Sequence, residues 1–145
     1  METPDRIERE VLIAAPLVRV WDLISQPGWW IGDGDRSVLT VTGDGESYLV
    51  DHPQYGRFPL RLVASDPPRS IAFRWELGTP DQETRAGAAT LVEFSLREAP
   101  GGTVLRVVES GFAATAEGQR AREGNVKGWE FQLEVARRDG EQVAA

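Results

Sequence analysis

The sequence predicts an α+β fold in which a curved antiparallel sheet of about seven strands wraps a long C-terminal helix, in the order β-α-α-β6-α. Three observations predict it. Residues 117–138 carry no proline and read as one helix, with Asn125, Trp129, Gln132, Leu133 and Ala136 on one face and Lys127, Glu130, Glu134, Arg137 and Arg138 mostly on the other. Between Ser37 and Phe112 six strand-like runs follow one another, separated by short turns. Before them, a further strand leads into an apolar helix. A helix of that length spans about 33 Å at ~1.5 Å per residue, too long to cover one strand and suited to lying diagonally across a sheet.

In order, Ile7, Arg9, Val11 and Ile13 share one face of a first strand, with Glu8, Glu10 and Leu12 on the other. Pro16 suits the first turn of a helix, where its missing N–H costs nothing. Leu17, Val20, Trp21 and Ile24 form that helix's apolar stripe, with Arg19 and Asp22 outside, and Ser25–Gly28 ends it. Trp29-Trp30-Ile31 is predicted as a short second helix. The strands are then Ser37–Thr42, Glu46–Asp51, Arg57–Ser65, Ser70–Leu77, Ala88–Glu98 and Thr103–Phe112, with Gly78–Gly87 a polar loop. Short turns make consecutive strands antiparallel neighbours. Apolar residues alternate with charged ones, so the sheet buries one face, which the two main helices cover. Glycines 118, 124 and 128 each cost a helix interior roughly 1 kcal/mol, which predicts a break near Gly124.

The 145 residues make one domain, 1–145, able to bury a core without staples. There is no cysteine, hence no disulfide, thiol nucleophile or thiolate metal site. The formal net charge is −7, and the single lysine and scattered arginines give no basic patch, which argues against nucleic acid as a partner. No apolar run reaches the ~20 residues of a membrane span, and Met1–Arg6 lacks the pattern of a secretory signal, so the expected location is cytoplasmic.

Trp29, Trp30, Phe58, Phe73, Trp75, Phe94, Phe112 and Trp129 are expected to face inward, first of all as core, since aromatic rings bury large areas. Glu109 shares the inward face of the last strand with Leu105 and Val107. A buried carboxylate must find a partner or take up a proton. It therefore has several readings: contact to a ligand hydroxyl, an acid or base, an arginine pair, or an outward turn at a bulge near Gly111. His52, the only histidine, is expected in an exposed loop, and Tyr48 and Tyr55 offer hydroxyls. Gly32-Asp33-Gly34-Asp35 and Gly43-Asp44-Gly45-Glu46 lack calcium-loop spacing and read as turns. No metal site, nucleotide fingerprint or hydrolase motif is present, and no cofactor is implied.

Four stretches carry a resemblance. Ile13 to Ile24 holds a strand end, a proline, then Val20-Trp21 and an apolar helix. Pro68-Arg69-Ser70-Ile71-Ala72-Phe73-Arg74-Trp75 is a proline, basic, Phe-x-Trp strand. Val108-Glu109-Ser110-Gly111-Phe112 ends the last strand, and Gly128-Trp129 followed by Leu133 opens the packed part of the closing helix. In this order they resemble the START/Bet v 1-like (SRPBCC) superfamily, and within it the branch similar to the activator of Hsp90 ATPase. The resemblance implies the helix-grip fold and a cavity between sheet and long helix that takes lipids, polyketides or aromatic metabolites. Ligand contacts would then fall to Trp29, Trp30, Tyr48, Phe58, Phe73, Trp75, Phe94, Glu109, Phe112, Trp129 and Leu133. The eukaryotic namesake acts on a chaperone through a protein that also has a separate N-terminal domain, so that activity is not implied. Besides binding of a hydrophobic small molecule, two readings stay open: a cofactor-free cyclase or dehydratase using Glu109, and a domain that meets a protein partner.

Overall fold

A computed structural model describes residues 6–76, 89–112 and 116–142. The elements are β1 (Arg6–Ile13), α1 (Leu17–Ile24), a 3-10 turn (Arg36–Val38), β2 (Thr40–Gly43), β3 (Ser47–His52), β4 (Gly56–Asp66), β5 (Ser70–Glu76), β6 (Ala89–Ala99), β7 (Gly102–Ser110) and α2 (Ala116–Glu141). The seven strands form one antiparallel sheet in the order β1-β7-β6-β5-β4-β3-β2. Every neighbour pair from β2 to β7 is consecutive in sequence, as short turns require. The polar loop expected at Gly78–Gly87 lies outside the described residues.

The alternation read from sequence sets which face is buried. Ile7 and Ile13 of β1, Ile71 and Phe73 of β5, Val92, Phe94 and Leu96 of β6, and Leu105 and Val107 of β7 all point into one core. Charges stay outside: Glu8 is bonded by Arg106, and Arg97 pairs with Glu10. β4 follows its predicted pattern through Leu62, then shifts register between Leu62 and Ala64, and Val63 is left exposed. A bulge of this kind re-aims the strand and sharpens its twist.

Two expectations are corrected. Residues 29–31 are not a helix. Gly28 takes φ +78°, and Trp29 N–H and Ile31 N–H donate to Gln26 O and Gly28 O in two turns. A side chain at Gly28 would also strike Val50, at 2.5 Å from Cγ2. The short helical turn forms instead at Arg36–Val38, where Asp35 accepts from Ser37 N–H at 3.0 Å and caps it. Nor does α2 break at Gly124: it runs unbroken for 26 residues, about 39 Å at ~1.5 Å per residue. Packing explains why the glycines are tolerated. Among the residues of α2 whose side chains are described, Trp129, Gln132, Leu133, Val135, Ala136 and Gly140 are buried, and these anchor the rod.

The C-terminal end of α2 is clamped. Arg19 donates from Nε to Gly140 O at 2.9 Å and from Nη2 to Gln142 O at 2.9 Å, placing a guanidinium on the helix's negative pole. Arg36 pairs with Asp139 at 3.0 Å, and Ala14 N–H donates to Glu141 at 2.9 Å. Gly140 lets the helix approach β1 closely: a Cβ there would lie 2.7 Å from Ile13 Cγ2. A Cβ at Gly124 would meet nothing within 4 Å. Gly124→Ala is therefore expected to raise unfolding free energy by about 0.5–1 kcal/mol. Gly140→Ala, with the same gain in helix propensity, is expected to lower it. Urea denaturation of the two variants checks this; equal shifts would contradict the close approach.

Candidate functional site

Residue Trp30 is the centre of an aromatic cluster held between the sheet and α2. Its ring lies 5.2 Å from Phe94, 5.6 Å from Phe73, 5.9 Å from Trp75 and 6.0 Å from both Trp29 and Trp129. Most of these pairs are tilted or edge-on, as ring quadrupoles favour. The cluster joins three elements: the turn after α1 supplies Trp29 and Trp30, β5 and β6 supply Phe73, Trp75 and Phe94, and α2 supplies Trp129.

Beside this cluster opens a cavity of about 450 Å³. Trp30, Ile31 and Gly32 form one side, Tyr55, Phe58 and Trp75 another, and Asn125, Gly128, Trp129 and Gln132 of α2 the third. Four residues expected from sequence, Trp30, Phe58, Trp75 and Trp129, are thus brought together on its wall. The others are elsewhere. Trp29, Phe73, Phe94, Phe112 and Leu133 are buried core. Tyr48 lies over Gly43, where a Cβ would sit 2.3 Å from its Cδ1. Asn125 and Gln132 had been read on the inward face of α2, and amides amid apolar neighbours are the signal that finds them. Gly32, Tyr55 and Ile31 come from loops without periodicity, so nothing in the sequence groups them.

Glu109 is fully buried at the end of β7, and among the described residues its bonds come from no arginine. Its Oε2 accepts from Thr90 Oγ1. Its Oε1 accepts from Trp129 Nε1 at 2.7 Å and from Asn125 Nδ2 at 3.0 Å. Val92 stands opposite Glu109 in the β6–β7 ladder, so Thr90 is the diagonal neighbour on the same face. Asn125 and Trp129 are four residues apart in α2, hence stacked on one face one turn apart. Glu109 is not on the cavity wall. It holds two residues that are.

The expected exposed position of His52 is corrected. The side chain is buried at the end of β3. Its Nδ1 accepts from Gln54 N–H at 3.0 Å and Tyr55 N–H at 3.2 Å, and its ring lies 4.5 Å from that of Tyr55. The imidazole thereby fixes the loop that brings Tyr55 to the cavity. The acidic turns behave as turns: Asp44 accepts from the N–H groups of Glu46 and Ser47. Among the described residues no group of three or more His, Cys, Asp or Glu side chains could hold a metal ion. Among them no helix is long and apolar enough to cross a membrane.

Burial pushes the Glu109 carboxyl above its ordinary value of 4.5, and the bonds from Thr90, Trp129 and Asn125 act against that rise. The folded chain therefore binds this proton more tightly than the unfolded chain. Below pH 4.5 both forms are protonated and the group costs nothing. Its cost grows as pH rises through the ordinary value to the raised folded one, then stays constant. Glutamine keeps the network, since its oxygen can accept from Asn125 and Trp129 while its amide donates to Thr90. Glu109→Gln is expected to stay folded, with a stability that gains on wild type as pH rises through that window. Glu109→Leu is expected to lose at least about 2 kcal/mol, because each stranded buried donor costs about 1–3 kcal/mol. Denaturation of the three proteins at pH 4 to 8 checks this; a Glu109→Gln variant as unstable as Glu109→Leu would contradict it.

Comparison with known proteins agrees with the architecture. The family described as activator of Hsp90 ATPase homolog 1-like protein matches residues 14–135. No curated protein matches the chain. Protein MLL2253 from Mesorhizobium loti superposes with a TM-score of 0.71 at 22% identity, over 92% of this chain and 94% of that one. The Aha1 dimer from Colwellia psychrerythraea gives 0.71 at 13% identity, over 97% and 98%. DynU16, a protein in the dynemicin biosynthetic locus, gives 0.70 at 19% identity over 95% of this chain but 48% of its own, so the present chain spans about half of it. At these identities the likeness is one of fold. The family match runs from just after β1 through most of α2, and the chain belongs to the activator of Hsp90 ATPase homolog 1-like family.

Proposed function

We propose that the protein binds a hydrophobic small molecule with a flat body in the cavity between the sheet and α2. The observation that carries this reading is the wall itself: a space of about 450 Å³ faced by Trp30, Phe58, Trp75 and Trp129, within the ~300–1,000 Å³ of small-molecule pockets. Rings already packed against one another present flat, rigid surfaces, so a planar ligand stacks on them with little loss of side-chain freedom. Gly128 supports the same reading. A helix interior gains from almost any other residue, yet a Cβ here would meet nothing within 4 Å. Glycine at this point keeps the cavity open.

Acid–base catalysis by Glu109 draws no support from its position, because both oxygens are engaged by protein donors and neither is on the cavity wall. Binding is therefore the reading to test first. Gly128→Leu fills the space while improving helix propensity by up to about 1 kcal/mol. It is expected to abolish quenching of tryptophan fluorescence by anthraquinone, a flat neutral probe, with a melting temperature equal to or above wild type. Quenching of Gly128→Leu as strong as that of wild type would remove the cavity from the function.

A further inference from the structure

One side of the cavity is held in place by a single imidazole. His52 ends β3, and its Nδ1 accepts from Gln54 N–H at 3.0 Å and from Tyr55 N–H at 3.2 Å. Asp44 makes the same pair of bonds in the turn between β2 and β3, where Oδ1 accepts from Glu46 N–H at 3.1 Å and Ser47 N–H at 2.9 Å. A carboxylate oxygen caps that turn; a ring nitrogen caps this one. The imidazole stacks on the Tyr55 ring at 4.5 Å, and Tyr55 is exposed as well as part of the cavity wall, so it stands at the mouth. The other edge of the imidazole seats the loop after Trp30. A Cβ on Gly32 would lie 2.9 Å from both Cδ2 and Nε2 of His52. Gln132 of α2 donates to Gly32 O at 2.9 Å and ties that loop to the helix. His52 is thus the post between two loops that both line the cavity.

A neutral Nδ1 can cap the turn and an imidazolium cannot. Two N–H groups converge on Nδ1, so in the closed turn it carries no proton and the ring proton sits on Nε2. A proton placed on Nδ1 would face both N–H groups and end both bonds. The turn itself covers Nδ1, so the nitrogen takes up a proton from water only after Gln54 and Tyr55 swing away. The turn then stays open until the proton leaves. Nothing around the ring rewards a positive charge. Nε2 is buried with no partner among the described residues. Asp33, beside Gly32, is exposed, and Asp51 alternates to the other face of β3, where it accepts from Arg57 at 2.9 Å. β4 meets His52 through Gly56, and α2 brings the neutral Gln132 to Gly32. Imidazole is the side chain that ordinarily changes charge between about pH 5 and pH 8.

We infer that His52 is an acid-released latch on the cavity: neutral, it holds Tyr55 at the mouth, and protonated, it frees the turn and the ligand with it. This rests on the binding reading above and adds how that site is loaded and emptied. The direction follows from linkage. A ligand that packs on Tyr55 binds the closed turn and the proton binds the open one, so each weakens the other. Glu109 is the other buried titratable group near the wall, but its bonds run to Thr90, Asn125 and Trp129 and none reaches this turn.

The test compares wild type with His52→Asn, whose side-chain oxygen can cap the turn as Asp44 does but takes up no proton. Anthraquinone, which does not itself titrate here, is bound to each protein from about pH 8 to about pH 5 and followed by tryptophan quenching. Wild type is expected to lose affinity roughly tenfold over this range, and His52→Asn to vary less than about threefold. The amide signals of Gln54 and Tyr55 in ligand-free wild type are the second readout. Their protection from exchange, corrected for the intrinsic effect of pH, is expected to fall as the His52 ring signals titrate. The same loss of affinity in both proteins assigns the effect to another group and overturns the latch. Gln54 and Tyr55 amides that stay protected while the ring takes up its proton overturn it too, whatever becomes of the variant. Failure of anthraquinone to bind either protein at about pH 8 counts against the cavity reading instead, and the amide signals still decide whether the turn opens.

Discussion

The bond set around Glu109 is the constraint from which the site follows. One carboxyl, fully buried, takes donors from β6 and from two successive turns of α2. A polar group in such a place is costly unless satisfied, and it is satisfied in only one arrangement. If α2 rolled on the sheet, Asn125 and Trp129 would leave Oε1 together. The network therefore sets the rotation of the helix rather than adding much to its adhesion, which is the best attested use of buried polar groups. Fixing the Trp129 indole in this way aims its ring at Trp30 and Trp75 and so builds one wall of the cavity.

The far end of α2 is held by different means. Arg19 binds the last carbonyls, Arg36 pairs with Asp139, and Gly140 allows contact with Ile13. The helix is thus held at two places, by the clamp and by the Glu109 network. This frees its surface near Gly124 and Gly128, where side chains would have nothing to touch. A cavity costs packing energy, since its lining forgoes contact on one side. The two anchors and the aromatic cluster offset that loss.

Much of the fold was legible because alternation in the strands is strict. Ile71, Phe73 and Trp75 on β5, or Leu105, Val107 and Glu109 on β7, carry the period of two that decides the buried face. The resemblance supplied the rest of the topology and the idea of a cavity. What stayed hidden depended on three dimensions. Gly28 in a left-handed conformation turned an apparent second helix into two turns. His52 looked like a loop residue, yet it is buried because two backbone N–H groups converge on Nδ1. Packing at positions 129–140 carried α2 through glycines that propensity alone would use to stop it. In the candidate site the aromatic residues were visible as a class, but their division between core and cavity was not. Trp29 and Trp30 are adjacent in sequence and differ only in which way the turn sends each ring. The three donors of Glu109 come from sequence separations of 16 to 20 residues, which no local pattern links.

The central claim is that the Glu109 network locks Trp129 and with it the rotation of α2 on the sheet. It is tested most directly by the indole N–H signals of the five tryptophans in a nitrogen-15 proton correlation spectrum. The Trp129 signal is expected to exchange slowly with solvent and to lose that protection in Glu109→Leu. A Trp129 signal that exchanges as fast as that of the half-buried Trp21 would contradict it.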